Sequence, residues 1–542
     1  MGDIFRRSKA GAIWPMALLL LHVGLPASAL ACDQIQAGET FWIRLLEPIA
    51  SYSAKPGTAV RAILVESPGC EGNAVFAVGS EVDGSIKSVR RVGMGLVHDT
   101  ARVRVVFDRI VPPGEQPLAI ESTVLEISNA RETVHKGVIF GIRSTDSPEG
   151  RITSRLRHLP TWYPYSDWFL LGYRLAFPIA PEPEIYLPPG ADLRLQLTQP
   201  LPVPDRLAPA PLFASFSETE RSHLDFLLQS VPERTTTRKG QAADVVNLAF
   251  MGTREQLDKA FRAAGWRQSD PTNTRSVLRE FRAFIAFQNY PTEPISRQLL
   301  EGELSDVNWE KGLDSYAKRD HLRIWQDREP GQDAPLWLSA FVRETGAALS
   351  LRDHKFIHHV DANLDEGRDL LIRDLALAGC VDAVEEMPRP EFPHLVINAT
   401  HDPMRTNGSL AVVRVKDCER GLFDYSVSRP QVPSHPHSRV VRYLRTELLA
   451  YRSDVIRGNI LYSLFDVTRM SVQAFRRHRA REAVVAREPQ PTTPNAPIEG
   501  VDTATESIRD NVIAGGTVLP NPHIFLRPSP PLPPLLQVTG TP

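Results

Sequence analysis

The chain has 542 residues, which is too long for one hydrophobic core and indicates two or three domains. Its 62 basic and 64 acidic residues give a net charge of −2, and 42% of its residues are hydrophobic. This composition is ordinary for a globular protein and excludes a general polybasic surface, so nucleic acid is not expected as a partner.

The N-terminus carries a targeting signal. Three basic residues among the first nine precede an apolar run from Ile13 to Leu25, and small residues follow. This pattern is typical of a secretory signal peptide, predicted here over residues 1–31. Cleavage leaves a periplasmic protein, whereas lipidation of Cys32 leaves an outer-membrane lipoprotein; an uncleaved membrane anchor is the third alternative. The protein is therefore expected to be exported.

Export to an oxidising compartment makes the four cysteines candidates for disulfides. The simplest pairing joins Cys32 to Cys70 and Cys380 to Cys418. Two alternatives stay open: Cys380 is a buried thiol on an apolar helix, or lipidation of Cys32 leaves Cys70 free. The chain has no pair of Cys-x-x-Cys motifs, so it gives no signal for a zinc site made of cysteines.

Residues 36–201 are predicted to form an all-β domain, a barrel or a sandwich, because short apolar strands alternate with glycine and proline turns. The apolar pattern of residues 38–49 returns at 190–201. This repeat suits a sheet that closes by pairing its first and last strands, with coincidence as the alternative. An aromatic loop at 162–169 can stack on sugar or lipid head groups, or form a small local core.

Residues 202–240 are predicted as a linker with a helix at Glu218–Leu228, capped by Ser217. Residues 242–388 are predicted as a mixed α/β sandwich domain, which makes the whole chain α+β. The elements expected there are a buried strand at Val245–Phe250, a helix capped by Thr253, strands at 283–287 and 336–342, and a helix at 365–378.

The C-terminal part is predicted to contain a hairpin, a long helix and an extended tail. Within residues 389–481, Asn407-Gly408 favours a hairpin turn between strands at 395–400 and 410–415. A basic amphipathic helix at 439–481 can bind a membrane surface or a partner helix, or dock on its own domain. The proline-rich tail at 482–542 is expected to be disordered.

Residues able to do chemistry are concentrated in two short segments of the central domain. His321, Arg323 and Trp325 alternate on a predicted strand, while His359 and Asp361 share one side of an extended segment and can ligate a divalent metal. The candidate ligand-binding residues are His321, Arg323, Trp325, His358, Asp365 and Arg368; the candidate metal ligands are His359 and Asp361. The alternative is a structural network in which the arginines pair with these acids and hold the helix on the sheet.

Several motifs in order resemble the LssY-like C-terminal domain family over about residues 242–385. They are Asn247-Leu248-Ala249-Phe250-Met251-Gly252-Thr253, Ala263-Ala264-Gly265-Trp266, His321-Leu322-Arg323-Ile324-Trp325, Pro335-Leu336-Trp337 and His358-His359-Val360-Asp361. Some relatives carry this domain behind membrane-embedded modules similar to phosphatidic acid phosphatases. The resemblance therefore implies a setting of envelope lipids. This chain lacks both those modules and their Ser-Gly-His signature.

The leading hypothesis is a binding or scaffolding protein of the cell envelope, with a lipid or protein partner and no required cofactor. No Gly-x-Ser-x-Gly, His-Glu-x-x-His or Walker motif is present in the sequence. The rival is a hydrolase of a phosphorylated lipid or glycan, in which His321, His358, His359, Asp361 and Asp365 act with a divalent metal. A third hypothesis assigns the function to the N-terminal domain, as a binder of peptidoglycan or another envelope polymer.

Overall fold

The protein is described by a computed structural model, which places residues 34–70, 73–128, 130–143, 182–203, 213–286, 289–312, 318–327, 335–350 and 355–423, with scattered positions between 438 and 475. The predicted signal peptide, Cys32 and its pairing with Cys70, the aromatic loop and the proline-rich tail lie outside the described residues. So does most of the helix at 439–481, which stays a prediction. Within the described ranges, no helix has the length and apolar character needed to cross a membrane.

The N-terminal region is rich in β-structure, as predicted. Its described strands are β1 Gln34–Ile35, β2 Thr40–Leu45, β3 Ile49–Ala50, β4 Ala59–Leu64, β5 Gly69–Cys70, β6 Asn73–Ala74, β7 Glu81–Arg90, β8 Arg102–Val111, β9 Leu118–Ala119, β10 Ser122–Ile127, β11 Thr133–His135, β12 Val138–Phe140, β13 Tyr186–Leu187, β14 Asp192–Leu197 and β15 Leu201–Pro202. The main sheet has the order β10-β14-β2-β4-β7-β8-β12-β11, with β9 beside β8. In β8, Val103, Val105 and Phe107 are buried and alternate with exposed or half-buried residues, so one face of this strand lies on the core.

The two similar segments found in the sequence pair with each other, as predicted. Strand β14 runs antiparallel to β2, with Leu195 opposite Phe41. At the other end of the strand order, the Ser122 hydroxyl donates to the Phe107 carbonyl at 2.7 Å, which places the start of β10 beside β8. The sheet therefore curls back on itself around a core of aliphatic side chains.

The central region combines helices with a mixed sheet. The helices are α1 Glu218–Leu228, α2 Arg254–Ala263, α3 Thr274–Ala286 and α4 Leu364–Leu377. The strands are β16 Arg234–Thr236, β17 Ala242–Val245, β18 Leu248–Met251, β19 Arg267–Gln268, β20 Leu299–Leu300, β21 Glu303–Leu304, β22 Val307–Lys311, β23 Arg319–Gln326, β24 Leu336–Ser350, β25 Lys355–Val360, β26 Val381–Met387, β27 Leu395–Ile397, β28 Pro403–Arg405 and β29 Leu410–Val415. The large sheet of this region has the order β19-β22-β23-β24-β18-β29-β26, with β25 beside β24.

The predicted helix starts in this region are confirmed. Ser217 and Thr253 cap α1 and α2, each in a capping box, which satisfies backbone N–H groups that the first turn leaves unpaired. Helix α2 ends before Gly265, whose φ of +83° favours glycine. Phe261 of α2 stacks on Trp309 of β22 with ring centroids 5.2 Å apart, so α2 packs against the sheet.

The predicted strand at 283–287 is wrong, because residues 283–286 belong to α3. Asn273 starts this helix, since its side-chain oxygen accepts hydrogen bonds from the backbone N–H groups of Arg275 and Ser276 at 2.9 and 3.1 Å. A run of four or five apolar residues is compatible with either a strand or a helix, and here the cap decides.

The predicted hairpin around Asn407-Gly408 is also wrong. Strand β27 pairs with β28, and β29 instead enters the large sheet, parallel to β18 and antiparallel to β26. The Asn407 backbone N–H donates to Asp365 at 2.6 Å, so this turn is bonded to the start of α4. Pairing of β29 with buried central strands outweighs the local preference of the turn.

The buried strand predicted at Val245–Phe250 is divided into β17 and β18. Asn247 lies between them, and its side chain makes two hydrogen bonds with the backbone of Phe341, at 3.0 and 3.2 Å. The predicted disulfide between Cys380 and Cys418 is present and joins the start of β26 to the segment after β29.

Helix α4 lies between the N-terminal and central regions. Leu371 and Leu375 pack in the central core, whereas Leu370 and Leu377 pack with Trp42 of β2 in a separate cluster. Both sides of the helix are therefore buried, which joins the two regions through a shared apolar layer.

An ionic network crosses the same boundary at Asp374 of α4. Arg44 of β2 pairs with Asp374 and also with Asp192, at 2.7 and 2.8 Å. Lys311 of β22 binds the other oxygen of Asp374 at 2.6 Å. These side chains are almost fully buried, so each charge depends on its partners.

Candidate functional site

The candidate site begins on β23, where charged side chains replace the apolar ones expected of a buried strand. Arg319, His321 and Arg323 are 4%, 4% and 1% exposed. They occupy alternate positions, so they project from one side of the strand, as the sequence predicted for His321 and Arg323. Trp325 continues this side, and its indole N–H donates to the Glu303 carbonyl at 3.1 Å within an apolar cluster.

Arg319 is the centre of a buried group of acids. Its guanidinium binds Glu344 of β24 at 2.6 Å, and one of its terminal nitrogens lies 2.9 Å from Glu310 and 3.2 Å from Glu293. The three glutamates are at most 5% exposed. A single guanidinium therefore meets three carboxylates from three different segments.

Two imidazoles lie beside the same carboxylate. Nδ1 of His321 lies 3.2 Å from Oε1 of Glu344, and Nδ1 of His358 lies 3.0 Å from Oε2. The other nitrogen of His358, Nε2, lies 3.6 Å from Glu293. Ligand atoms of His358, Glu293 and Glu280 of α3 all lie within 4.8 Å of one another, which is close enough to share one metal ion.

The neighbours of Glu344 determine the pKa values of Glu344, His321 and His358. Burial would raise the pKa of Glu344, but Arg319, His358 and His321 outweigh burial and hold the pKa well below its ordinary value. Burial also lowers the pKa of His321, whereas Glu344 reverses that effect for His358 and raises its pKa. The expected state is an ionised Glu344 between a neutral His321 and a protonated His358.

Arg323 belongs to an adjoining network. Its guanidinium binds Asp244 of β17 at 2.7 Å and the carbonyl of Ser296 at 3.0 Å, and lies 3.3 Å from Nε2 of His321. Asp244 also accepts a hydrogen bond from Gln298 at 2.7 Å. The charge of Arg323 is therefore balanced by Asp244, and its contacts link β17, β23 and the loop before β20.

His359 and Asp361, the candidate metal ligands, do not share a partner. His359 is half-exposed, and its Nδ1 lies 2.8 Å from Asp402. This bond, more than the opposing effect of burial, raises the pKa of His359. Asp361 instead accepts the backbone N–H of Asn363 at 3.0 Å, just before α4. Nothing in these contacts directs the two side chains at one ion.

Asp365 and Arg368 form a third group at the start of α4. Asp365 accepts hydrogen bonds from the Thr406 hydroxyl at 2.8 Å and from the backbone N–H of Asn407 at 2.6 Å. Arg368 lies 3.4 Å from Asp365 and binds Glu386 of β26 at 3.0 Å. These bonds hold the helix start against β26 and the loop before β29, which is the structural alternative considered from the sequence.

Residues 228–410 match the family model of the LssY C-terminus. The central region is an LssY-like domain. The match confirms the resemblance recognised in the sequence and extends it to β16 before residue 242 and to β27 and β28 after residue 385. A search of curated proteins finds no match to the chain.

Of the eight candidate residues in the LssY-like domain, the structure brings three together directly. His321, Arg323 and His358 meet around Glu344 and Asp244, whereas His359 and Asp365 lie in the two separate groups described above. The hydrolase hypothesis requires His321, His359 and Asp365 to act at one site, but their contacts are with Glu344, Asp402 and Thr406 respectively.

Sequence reasoning missed the four acids and the arginine that organise the site: Glu280, Glu293, Glu310, Glu344 and Arg319 were not among the candidates. A signal was available for two of the acids, since Glu310 and Glu344 lie close to large apolar residues on strands whose described residues are mostly buried. A charge inside a buried strand needs a partner, so it points to an internal network. Glu293 lies in a loop and carries no comparable signal.

Proposed function

We propose that the protein is an exported cell-envelope protein that binds an anionic membrane surface through helix α3 of its LssY-like domain. The observation that carries this proposal is the orientation of α3, which turns a side containing Ser276 and Glu280 toward the protein and leaves three large apolar side chains exposed. The role is binding or scaffolding at the periplasmic side of a membrane. No catalytic step is required for it.

The inward side of α3 is formed by Ser276, Glu280 and Ala283. Ser276 is 2% exposed and Ala283 is 9% exposed, and Glu280 points at the ionic cluster around Glu293 and His358. These three positions follow one another at intervals of four and three residues, so they form one side of the helix. A surface helix of a globular protein ordinarily buries its apolar side instead.

The outward side has an apolar strip and a basic strip. Val277, Leu278 and Phe281 are 50%, 49% and 38% exposed. Beside them, the exposed basic residues are Arg275, Arg279 and Arg282. Apolar side chains next to cationic ones are typical of helices that lie at the surface of an anionic bilayer.

The expected affinity is modest. Burying the exposed parts of three apolar side chains contributes about 1 kcal/mol each, and each arginine near an anionic surface contributes about 1 kcal/mol. Arg279 contributes less, because it already lies 3.2 Å from Asp270. A total of roughly 5 kcal/mol corresponds to reversible binding in the high-micromolar range.

Two further observations support the envelope setting. The predicted signal peptide directs export, and the disulfide between Cys380 and Cys418 is the kind of bond that persists in an oxidising compartment. The basic helix predicted at 439–481 contributes less to membrane binding than expected, because two of its described residues near the start are buried in the protein. There, Leu449 is buried in the N-terminal core and Arg445 is buried against Glu182.

Vesicle co-sedimentation tests the proposal with the mature chain that begins at Cys32. We expect binding to vesicles that contain phosphatidylglycerol, little binding to pure phosphatidylcholine, and weaker binding as salt rises and screens the arginines. Replacing Val277, Leu278 and Phe281 together with serine should weaken binding at least 10-fold.

The matched control is Phe226→Ser, which removes another exposed apolar side chain, 72% exposed, from α1. It should bind vesicles as the wild type does. Equal binding by the triple serine variant, or binding that does not depend on anionic lipid, would overturn the proposal.

A metal-dependent hydrolase of a phosphorylated lipid or glycan is the second candidate. The group formed by Glu280, Glu293 and His358 favours it, because these side chains can hold a divalent ion beside the buried arginine. The test is phosphate release from phosphatidic acid vesicles in the presence of Mn²⁺ or Zn²⁺. Release that is lost in Glu280→Gln would favour the hydrolase, and no release would exclude this substrate.

A further inference from the structure

We propose that Glu280, Glu293 and His358 form a divalent-cation site that holds α3 against the edge of the large sheet. The three side chains come from α3, from the loop that follows it and from β25, and their ligand atoms lie within 4.8 Å of one another. These residues differ from the pair His359 and Asp361 that the sequence suggested. The proposal is independent of lipid binding, because its measurement needs no vesicle.

The orientation of His358 is the first argument. Its Nδ1 lies 3.0 Å from Oε2 of Glu344, while its Nε2 lies 3.6 Å from Glu293. A carboxylate beside one ring nitrogen, with the other nitrogen toward the ion, is the usual arrangement of a metal-bound histidine. Glu344 is in turn held by Arg319, so the ring position is set by a rigid network.

The charge balance is the second argument. Three glutamates, Glu293, Glu310 and Glu344, contact the single guanidinium of Arg319, and Glu280 lies beside Glu293. The neighbouring Arg323 does not offset them, because it already binds Asp244. Even when His358 is protonated, these four acids outnumber the two cations, and a divalent cation that displaces the His358 proton reduces the imbalance.

The third argument comes from Glu310, which is 1% exposed. Its Oε2 contacts the same nitrogen of Arg319 that Glu293 contacts, so the two carboxylates adjoin. Its Oε1 is buried and accepts no hydrogen bond from any residue that the structure describes. A buried acceptor of this kind calls for a donor, and water bound to a cation supplies one.

The ligand set indicates which cations fit. One imidazole and two carboxylates suit Zn²⁺ or Mn²⁺, whereas Ca²⁺ prefers a larger set made only of oxygen ligands. Three protein ligands leave a further position for water. Glu280 and His358 are partly exposed, which gives an ion a route to the site from solvent.

The experiment measures binding of the metal alone to the metal-free mature protein. Isothermal titration with Zn²⁺ and with Mn²⁺ should show one site per chain, and a saturating ion should raise the thermal unfolding temperature. Glu280→Gln should weaken the affinity 10-fold to 100-fold and abolish the thermal shift. Glu280 lies at the edge of the cluster, so this variant keeps the buried network around Arg319 intact.

His359→Gln is the matched control, because it removes the neighbouring imidazole, whose partner is Asp402. It should bind the ion as the wild type does. No saturable binding by the wild-type chain, unchanged affinity in Glu280→Gln, or an equal loss in His359→Gln would each overturn the proposal.

Discussion

Replacing Asp374 with asparagine is expected to cause a large loss of stability. Asp374 is the shared carboxylate between Arg44 of the N-terminal region and Lys311 of the LssY-like domain, and it also accepts the indole N–H of Trp266 at 3.3 Å. Its side chain is 6% exposed. Asparagine keeps the shape but removes the charge, so the two cations stay buried with less compensation.

Removing one partner from a buried ion pair costs about 3–5 kcal/mol. Arg44 keeps its paired bonds to Asp192, at 2.7 and 2.8 Å, which favours the lower part of that range. We therefore expect Asp374→Asn to lower the free energy of unfolding by about 3 kcal/mol. The control is Asp382→Asn, because Asp382 binds Arg414 at 2.7 Å but is 47% exposed. Its loss should cost less than about 1 kcal/mol.

Urea denaturation of the oxidised protein, followed by tryptophan fluorescence, measures both variants.

The pH dependence of the free energy of unfolding gives a second check. Burial would raise the pKa of Asp374, but Lys311 and Arg44 outweigh it, and the folded-state pKa is lower than the ordinary 3.8. The contribution of Asp374 is therefore complete above about pH 3.8 and is lost only as the pH falls through the lower folded-state pKa. A cost below 1 kcal/mol at pH 7, equal to that of the control, would refute the reasoning.

Three further variants test other parts of the fold. Thr253→Ala removes the cap of α2 and should cost about 1 kcal/mol by urea denaturation, with Thr253→Ser close to wild type. Reduction of the bond between Cys380 and Cys418, which are 38 residues apart, should cost about 2–4 kcal/mol, and an unchanged midpoint under reducing conditions would contradict this. Gly84→Ala should cost about 1–3 kcal/mol, because the added carbon would lie 2.5 Å from the Val106 carbonyl oxygen. A thermal shift no larger than that of Gly346→Ala, where the added carbon meets no atom within 4 Å, would contradict it.

The sequence predicted elements whose signals are local. Ser217 and Thr253 cap helices, and the alternating residues of β8 form a strand, because these preferences act within a few residues. The pairing of β2 with β14 was also predictable, since the two segments carry the same apolar pattern. In these places local preference and tertiary structure agree.

The errors arose where distant contacts decide the outcome. Asn407-Gly408 favours a hairpin locally, yet β29 pairs with β18, more than 150 positions earlier in the chain. For the site, the sequence placed His321 and Arg323 correctly on one strand. It gave no means of knowing that Glu293 and Glu344 meet them. The Glu293 contact depends on how the loop after α3 packs on the sheet, and the Glu344 contact depends on the pairing of β23 with β24.

Because α4 is buried on both sides, the sequence of the equivalent helix in related proteins indicates how their domains are arranged. Leu370 and Leu377 face Trp42, so they are apolar only because another module covers them. A homologous helix with serine or lysine at both positions, and no acid in place of Asp374, would belong to a domain that stands free on that side. The residues at the positions of Leu370, Leu377 and Asp374 thus indicate, from sequence alone, whether an N-terminal β-rich region packs on the domain.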